Sequence, residues 1–219
     1  MRKENKRNKI ISTVIFGVCV LILSVVLVIQ FNNHQNKKLD DGNDIAKYGM
    51  TNSSLVYYSD FDKALDYLNN SKETEVLYLG RASCQYCLNY VPAVNNAMID
   101  FNKPMIYVST EKIQATVTDE NGVVKNNPAH QKIVDWIVDN SEGAVSKDYV
   151  KYKEVEGAEN GKLLRIFTPR FFVIKEGKIV DCFMTSSCGN IKGESEVEKR
   201  MIESQFRNFI LPYMATDKS

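Results

Sequence analysis

The sequence predicts a mixed α/β domain attached to an N-terminal membrane helix. Three observations predict the domain: a strand–helix–strand series over residues 75–109, a strand–turn–strand segment over residues 170–184, and a closing amphipathic helix over about 194–210. Because parallel strands need a crossover connection such as a helix, the first series indicates a βαβ unit. At 219 residues, the chain has room for one such domain plus appendages.

The first element is a membrane-spanning helix over residues 10–29, which contain no charged side chain. At about 1.5 Å per residue this run crosses a hydrocarbon core of about 30 Å. Residues 1–9 carry a net charge of +4, which predicts a cytoplasmic tail with everything after the span outside. A cleaved signal peptide is the rival interpretation, but the apolar run is long and no small-x-small cleavage site follows it. We therefore expect a single-pass anchor in the cell membrane and an extracytoplasmic C-terminal domain.

Charge and composition narrow the partners of that domain. The whole chain has a net charge of +1, so removing the +4 of residues 1–9 leaves −3 for the rest. This distribution predicts no basic nucleic-acid-binding face. With 44% hydrophobic and 25% charged residues, the chain can bury a sizeable core, and global disorder is not expected.

A polar stalk is predicted between the membrane and the domain. Residues 30–56 are rich in Asn, Asp, Lys and Gln and show no apolar periodicity. We place the domain at 57–212 and a C-terminal tail at 213–219. The domain begins with a helix over Ser59–Asn70, whose apolar residues recur at helical spacing and for which Ser59 is a suitable N-cap.

The βαβ unit follows, with two cysteines at its first turn. We predict a buried strand over residues 75–80, a helix from about Cys84 to Phe101 and a second strand over 104–109. Cys84 and Cys87 lie where the first strand gives way to the helix. Unpaired N–H groups and the helix dipole stabilise a thiolate at such a position. This arrangement suits reversible disulfide chemistry, without a cofactor or metal.

Residues 110–162 interrupt the α/β alternation and form a predicted, partly helical insertion. Within it, Ala129–Val138 indicates a helix with Ile133 and Trp136 facing inward. The chain after the insertion carries strand patterns over 163–167, 170–175 and 178–184. The last two are joined by Glu176-Gly177, a good hairpin turn. The amphipathic helix over about 194–210 closes the domain.

The chain contains five cysteines. Cys19 lies in the predicted span, and the other four lie in the part expected to face an oxidising exterior. Four cysteines allow three connectivities, although the spacings suit two local pairs. For Cys182 and Cys188 we favour a structural disulfide, and the alternative is a second dithiol that exchanges with Cys84 and Cys87.

Three interpretations compete for Cys84 and Cys87. They could supply half of a zinc site completed by Cys182 and Cys188, although the spacing of that second pair is loose for zinc. They could form a permanent disulfide. We favour reversible exchange. Arg81, three residues before Cys84, either lowers the pKa of that thiol by its charge or is an exposed loop cation.

Several further residues produce a resemblance to a known family. Pro92 follows Cys87 by five residues, and Thr168-Pro169 opens the later strand–turn–strand segment. Together with the strand before the two cysteines, these residues resemble the thioredoxin fold over about 57–109 and 163–212. The stretch Tyr78-Leu-Gly-Arg-Ala-Ser-Cys-Gln-Tyr-Cys-Leu-Asn-Tyr-Val-Pro92 looks most like the bacteriocin transport accessory proteins of Gram-positive bacteria.

The resemblance implies an extracytoplasmic thiol-disulfide oxidoreductase acting on protein or peptide thiols, with a membrane redox partner. It implies that Cys84 is the exposed nucleophile and Cys87 the buried resolving thiol. It also implies a cis Pro169 beside the two cysteines, with Thr168 presenting its backbone to an extended substrate. Tyr86 could line the same groove. The alternative is a non-catalytic accessory protein of the same fold whose disulfides are structural.

The sequence departs from thioredoxin at three points. Ser83 stands where thioredoxin has a tryptophan before its first cysteine. Tyr78 occupies the strand position at which thioredoxin buries an acidic proton acceptor. The residues between the cysteines are Gln85 and Tyr86 instead of Gly-Pro.

Overall fold

The secondary structure alternates between strands and helices. The computed structural model describes residues 42–111, 113, 116–141 and 149–215. Along the chain the described elements are α1 (Gly42–Lys47), β1 (Leu55–Tyr58), α2 (Phe61–Asn70), β2 (Glu75–Gly80), α3 (Gln85–Asp100), β3 (Met105–Ser109), β4 (Thr116–Thr118), β5 (Val124–Asn126), α4 (Pro128–Asn140), β6 (Val150–Glu154), β7 (Lys162–Ile166), β8 (Arg170–Lys175), β9 (Lys178–Phe183), the 3₁₀ turn η1 (Thr185–Cys188) and α5 (Glu196–Ala215).

Five strands form one mixed sheet in the order β1-β3-β2-β8-β9. β1, β3 and β2 run parallel, whereas β8 is antiparallel to both β2 and β9. The predicted hairpin turn between β8 and β9 is confirmed, because Glu176 and Gly177 have φ of +50° and +75° and a two-residue turn of this kind matches the strand twist. The predicted mixed α/β class is therefore confirmed.

Helices cover both faces of this sheet. β2 is the central strand and all six of its residues are buried. Side chains alternate along a strand, so Val76 and Tyr78 face one side, where α3 and α5 pack, while Leu77 and Leu79 face the other, where α2 and α4 pack. Burying an aliphatic side chain of this size contributes about 1.5–3 kcal/mol, so the two apolar layers hold the helices in place.

The domain begins earlier in the chain than the predicted boundary at residue 57. Residues 42–56, which we placed in the polar stalk, contain α1 and the start of β1, and Leu55 is completely buried. β1 is only four residues long and is stabilised by its parallel pairing with β3, a contact between segments distant in sequence. The rest of the predicted stalk, residues 30–41, lies outside the described residues.

Two helix ends also differ from expectation. Asp60, rather than Ser59, is the N-cap of α2, and its carboxylate accepts the backbone N–H of Asp62 at 2.9 Å. α5 continues to Ala215, and Met214 is buried against the core. The predicted tail at 213–219 is therefore wrong for its first three residues, because the apolar stripe of α5 continues beyond Pro212. Residues 216–219 lie outside the described residues.

The insertion contains one small antiparallel ribbon, the predicted helix and the first strand of a second ribbon. α4 spans Pro128–Asn140, with Ile133 and Trp136 buried as expected. β4 pairs with β5, and β6 pairs with β7, so β7 joins a separate ribbon instead of the main sheet. Because β7 leads directly into Thr168, this ribbon is held next to the start of β8.

None of the helices within the described residues is both long and apolar enough to cross a membrane. The predicted cytoplasmic tail and anchor, residues 1–29, lie outside those residues, and so does Cys19.

Candidate active site

Cys84 lies at the start of α3, at one end of the central strand. β2 ends at Gly80, and Cys84 is the N-cap of α3, with its backbone N–H bonded to the Arg81 carbonyl at 3.2 Å. The Cys84 carbonyl accepts the Leu88 N–H at 3.0 Å, which is the first bond of the helix. This tight turn directs the Cys84 side chain towards the helix N-terminus, where the peptide N–H groups have no helical partner.

The pKa of the Cys84 thiol is lowered to about 5. The largest cause is a hydrogen bond from the Cys87 thiol, and burial acts against it by raising the pKa. The backbone N–H groups of Cys87 and Tyr86 face the sulfur, and they lower the pKa further together with the Thr168 side chain, although the Cys84 side chain makes no full capping bond. Cys84 is therefore a half-buried thiolate at neutral pH, which is the nucleophilic form of cysteine.

Cys87 occupies the opposite kind of environment, one turn into α3. It is completely buried. Burial raises its pKa above that of an ordinary cysteine, and donation of its proton to Cys84 raises the pKa further. Cys87 is consequently a protonated thiol that acts as a hydrogen-bond donor.

Three buried tyrosines surround the inner side of Cys87. The Tyr78 hydroxyl lies within hydrogen-bonding reach of the Cys87 sulfur and lowers its pKa. Tyr48 joins this hydroxyl to a third one, at 2.9 Å from the Tyr78 oxygen and 3.4 Å from the Tyr107 oxygen. The Tyr78 and Tyr107 rings are stacked with their centroids 4.9 Å apart. Burial raises the pKa of Tyr78 well above its usual value, so the hydroxyl stays protonated and can donate.

Gly80 is required for this arrangement. Tyr78 and Gly80 are two residues apart on β2, so they face the same side of the sheet. The Tyr78 phenol lies over Gly80, and a Cβ atom there would be only 2.0 Å from the Tyr78 hydroxyl oxygen. The missing side chain therefore leaves the space through which Tyr78 reaches Cys87.

The Thr168-Pro169 segment lies directly beside Cys84. The peptide bond between these two residues is cis, and the Cys84 sulfur is 3.6 Å from the Thr168 carbonyl oxygen. The cis bond and its position beside Cys84 are as the resemblance implied. A substrate chain that bonds the Thr168 backbone would therefore place its own sulfur close to Cys84.

The other side chains near the two cysteines lie in different surroundings. Tyr86 is exposed but lines a separate shallow cleft with Gln85 and Asn89, so the structure does not bring it next to Thr168. Tyr90 packs in the core, and its hydroxyl donates to the Ile191 carbonyl. Arg81 is exposed and borders the space next to Cys84.

The prediction of a disulfide between Cys182 and Cys188 is wrong. Both residues are buried free thiols, and they pack on opposite faces of the sheet, Cys182 with the α2 and α4 layer and Cys188 with the α3 and α5 layer. The 3₁₀ turn η1 carries Cys188 to the other side. The same separation removes the alternatives of a second dithiol and of a zinc site shared with Cys84 and Cys87. Within the described residues, no three or more His, Cys, Asp or Glu side chains converge on a common point.

The insertion and the strand that follows it contribute residues that were not selected from the sequence. His130 on α4, Lys153 on β6 and Arg165 on β7 line a cleft of about 250 Å³ together with Arg81 and Cys84. The one sequence signal that could have identified Arg165 is its position, because a residue three places before Thr168 must stay near it.

Comparison with known protein families finds no family that matches this chain, and comparison with curated proteins finds no matching sequence.

Proposed function

We propose that this protein is a thiol-disulfide oxidoreductase with a thioredoxin-like fold, anchored in the cell membrane and acting outside the cytoplasm on protein or peptide thiols. The observation that carries the proposal is the opposite tuning of two adjacent thiols, with the pKa of Cys84 lowered and that of Cys87 raised. The mixed sheet, the cysteines at the first turn of α3 and the cis Thr168-Pro169 bond support the thioredoxin-like assignment.

Each catalytic cycle would consist of two exchange steps. In the first, the Cys84 thiolate attacks one sulfur of a substrate disulfide, the Cys84–substrate bond forms, and the other substrate sulfur leaves as a thiolate. In the second, Cys87 loses its proton and attacks the Cys84 sulfur, which releases the remaining substrate thiolate. The substrate disulfide gains two electrons, and the protein is left with a Cys84–Cys87 disulfide. The same steps in reverse transfer the disulfide to substrate thiols.

Cys87 requires help in the second step because burial disfavours its thiolate. The Arg81 backbone N–H and the Tyr78 hydroxyl both lower the pKa of Cys87 by donating to its sulfur, and Tyr48 and Tyr107 extend the hydrogen-bonded chain from Tyr78. A hydrogen bond to a charged group is worth about 1.5–3 kcal/mol. Tyr78 would therefore stabilise the Cys87 thiolate where thioredoxin uses a buried acid.

The pKa difference between Cys84 and Cys87 also favours one direction of electron transfer. The Cys84 thiolate exists only in the reduced protein, so stabilising it favours the dithiol over the disulfide and raises the reduction potential. We therefore propose that the protein tends to oxidise substrate thiols and that a membrane redox partner reoxidises it. A potential above the thioredoxin value of about −270 mV, measured against glutathione buffers, is the expected result.

Trapping of mixed disulfides tests the proposal. In Cys87→Ala the second step cannot occur, so substrates should accumulate as reducible adducts on Cys84. Cys84→Ala/Cys87→Ala is the matched control and should carry none. If Cys87→Ala yields no adducts with envelope proteins or with added peptide disulfides, the exchange proposal fails and a non-catalytic accessory role becomes the better account. Bacteriocin transport peptides, suggested by the narrower resemblance, are one substrate set for this experiment.

A further inference from the structure

A cleft of about 250 Å³ opens beside the Cys84 sulfur. The loop before α3 forms one side, and α4 and the β6–β7 ribbon of the insertion form the other. Thr168 lies at its inner end, next to Cys84. Its lining includes Arg81, Cys84, His130, Lys153, Arg165 and Phe167.

Three positive side chains, those of Arg81, Lys153 and Arg165, line this cleft beside Cys84. Among the residues that the structure describes, no carboxylate forms an ion pair with Arg81, Lys153 or Arg165. The Arg165 Nε atom is buried and has no hydrogen-bond partner in the described chain. Burial and the nearby charge of Arg81 lower the pKa of Arg165, as expected of a cation surrounded by too little negative charge.

His130 adds an unpartnered polar group to the same cleft. It is only 7% exposed, and within the described residues its Nδ1 atom has no hydrogen-bond partner. Burial and the charge of Arg165 lower the pKa of His130 to about 4, so the imidazole is neutral at physiological pH. A neutral imidazole can still donate one N–H bond, and a buried polar atom without a partner is costly unless a ligand satisfies it.

Glu111 is an acidic side chain that contacts the Cys84 loop from outside the cleft. Its carboxylate accepts the backbone N–H of Ser83 at 3.1 Å. The cationic lining also contrasts with the net charge of −3 that residues 10–219 carry as a whole.

We propose that this cleft binds an acidic side chain of the substrate, close in sequence to the cysteine that exchanges with Cys84. The inference rests on the proposed exchange function and names the class of peptide on which it acts. Arg81, Lys153, Arg165 and His130 supply donors for a carboxylate. Phe167, which is 41% exposed, and Ile166 supply an apolar wall for a neighbouring substrate residue.

The charge of Cys84 gives this preference a chemical reason. In the reduced protein, an acidic peptide approaching the Cys84 thiolate is repelled, which would slow its reaction relative to a neutral peptide. In the oxidised protein Cys84 is bonded to Cys87 and carries no charge, so nearby cations attract an acidic peptide unopposed. Three cations beside the thiolate reverse the sign of the local field. Electrostatic steering of this kind raises association rates by about tenfold or more at low salt and is screened at high salt.

Peptides with a matched sequence test the proposal. Three synthetic peptides carry one cysteine as its 2-thiopyridyl disulfide, flanked on both sides by Asp, Asn or Lys. The full-length reduced chain in non-ionic detergent attacks the peptide sulfur and releases 2-thiopyridone, whose absorbance gives the rate. We expect the Asp peptide to react about tenfold faster than the Asn peptide at low salt, the Lys peptide to react slowest, and the differences to shrink at high salt.

Variants locate the preference in the cleft. Arg165→Gln and Lys153→Gln should each lower the Asp-to-Asn rate ratio about threefold or more. Lys175→Gln, which removes a charge from the far end of β8, should leave the ratio unchanged. The ratio is used because a change in Cys84 reactivity affects all peptides equally. If Arg165→Gln does not fold, the exposed Lys153→Gln and the salt dependence of the unaltered protein decide the question.

The possible results distinguish the preference for acidic peptides from the exchange function on which it rests. If no peptide releases 2-thiopyridone in a Cys84-dependent manner, the exchange function itself fails. If all three react through Cys84 at rates within twofold of one another, exchange stands and the acidic preference is overturned. A ratio above one that Lys153→Gln and Arg165→Gln leave intact would also overturn the assignment to this cleft.

Discussion

Cys84 and Cys87 are three residues apart, yet the two ends of this short segment lie in contrasting surroundings. Cys84 is half-exposed at a helix N-terminus beside Thr168 and a cationic cleft. Cys87 is completely buried against tyrosines with high pKa values. This difference shows that one turn of helix can place two cysteines in environments that favour opposite protonation states.

The relative size of the contributing effects explains which feature dominates. A charge near a helix terminus gains about 0.3–1 kcal/mol, whereas a hydrogen bond to a charged group is worth about 1.5–3 kcal/mol. The bond from the Cys87 thiol is accordingly the first cause of the lowered Cys84 pKa. The buried cysteine thus activates the exposed one, and the comparison predicts that changes at Cys87 are felt at Cys84.

The largest expected effect comes from removing the exposed thiol. Cys84→Ser keeps a good N-cap residue at the start of α3 but replaces a thiolate with a hydroxyl that is neutral at pH 7. The rate of 2-thiopyridone release from the neutral peptide should fall about a thousandfold or more. Cys182→Ala, on the opposite face of the sheet, should retain the rate. Comparable loss in both variants would contradict the central place of Cys84.

Crowding the buried region should have the next largest effect. In Gly80→Ala the new methyl group meets the Tyr78 phenol, so the ring must leave its position. Overpacking of this kind costs about 1–3 kcal/mol, measurable as a lower midpoint of urea unfolding. The same substitution in a Tyr78→Leu background should cost less, because the clashing ring is gone. Equal costs in both backgrounds would show that Tyr78 does not lie over Gly80.

Removing the donor at Cys87 should alter the exposed thiol. In Cys87→Ala the pKa of Cys84 should rise from about 5, since its largest lowering cause is lost. Cys87→Ser retains a hydroxyl donor and should shift the pKa less. The measurement is the pH dependence of Cys84 alkylation by iodoacetamide. A Cys84 profile that is identical in Cys87→Ala and the unaltered protein would break the proposed link between the two sites.

The smallest expected effect concerns the tyrosine chain. Tyr78→Phe removes one hydroxyl from a buried network, which should cost about 1 kcal/mol of stability and slow the release of substrate from the Cys84 mixed disulfide several-fold. Formation of that mixed disulfide should stay unchanged, because Tyr78 faces Cys87 and not Cys84. Tyr152→Phe, at a hydroxyl that is mostly exposed, serves as the control. Slowing of both steps alike would argue against a role confined to Cys87.

Local patterns in the sequence predicted the parts of the fold that depend on local chemistry. The strand before Cys84, the helix after it and the Glu176-Gly177 turn could each be recognised from neighbouring residues. The role of residues 42–56 could not be recognised from neighbouring residues, because β1 is short and Tyr48 reaches Tyr78 only through the fold. Contacts between segments distant in sequence leave no periodic signal.

The candidate site shows the same division. Cys84, Cys87 and Thr168-Pro169 were selected from the sequence, and the structure brings them together. No spacing in the sequence relates His130 to the cysteines, yet α4 carries it to the cleft beside Cys84. Cys182 and Cys188 were paired because only five residues separate them, but a strand end followed by η1 places them on opposite faces. Spacing along the chain does not report which face of a sheet a side chain reaches.

The most direct measurement is a pulse of iodoacetamide applied to the reduced full-length chain at a series of pH values from 4 to 9, with alkylation at each cysteine read by peptide mass spectrometry. Because the pKa of Cys84 is lowered to about 5, its labelling rate should be constant above about pH 6 and fall as the pH drops through 5. Because the pKa of Cys87 is raised, that residue should stay unlabelled throughout. A Cys84 midpoint near the ordinary cysteine value of about 8.5, or equal labelling of both residues, would contradict the account.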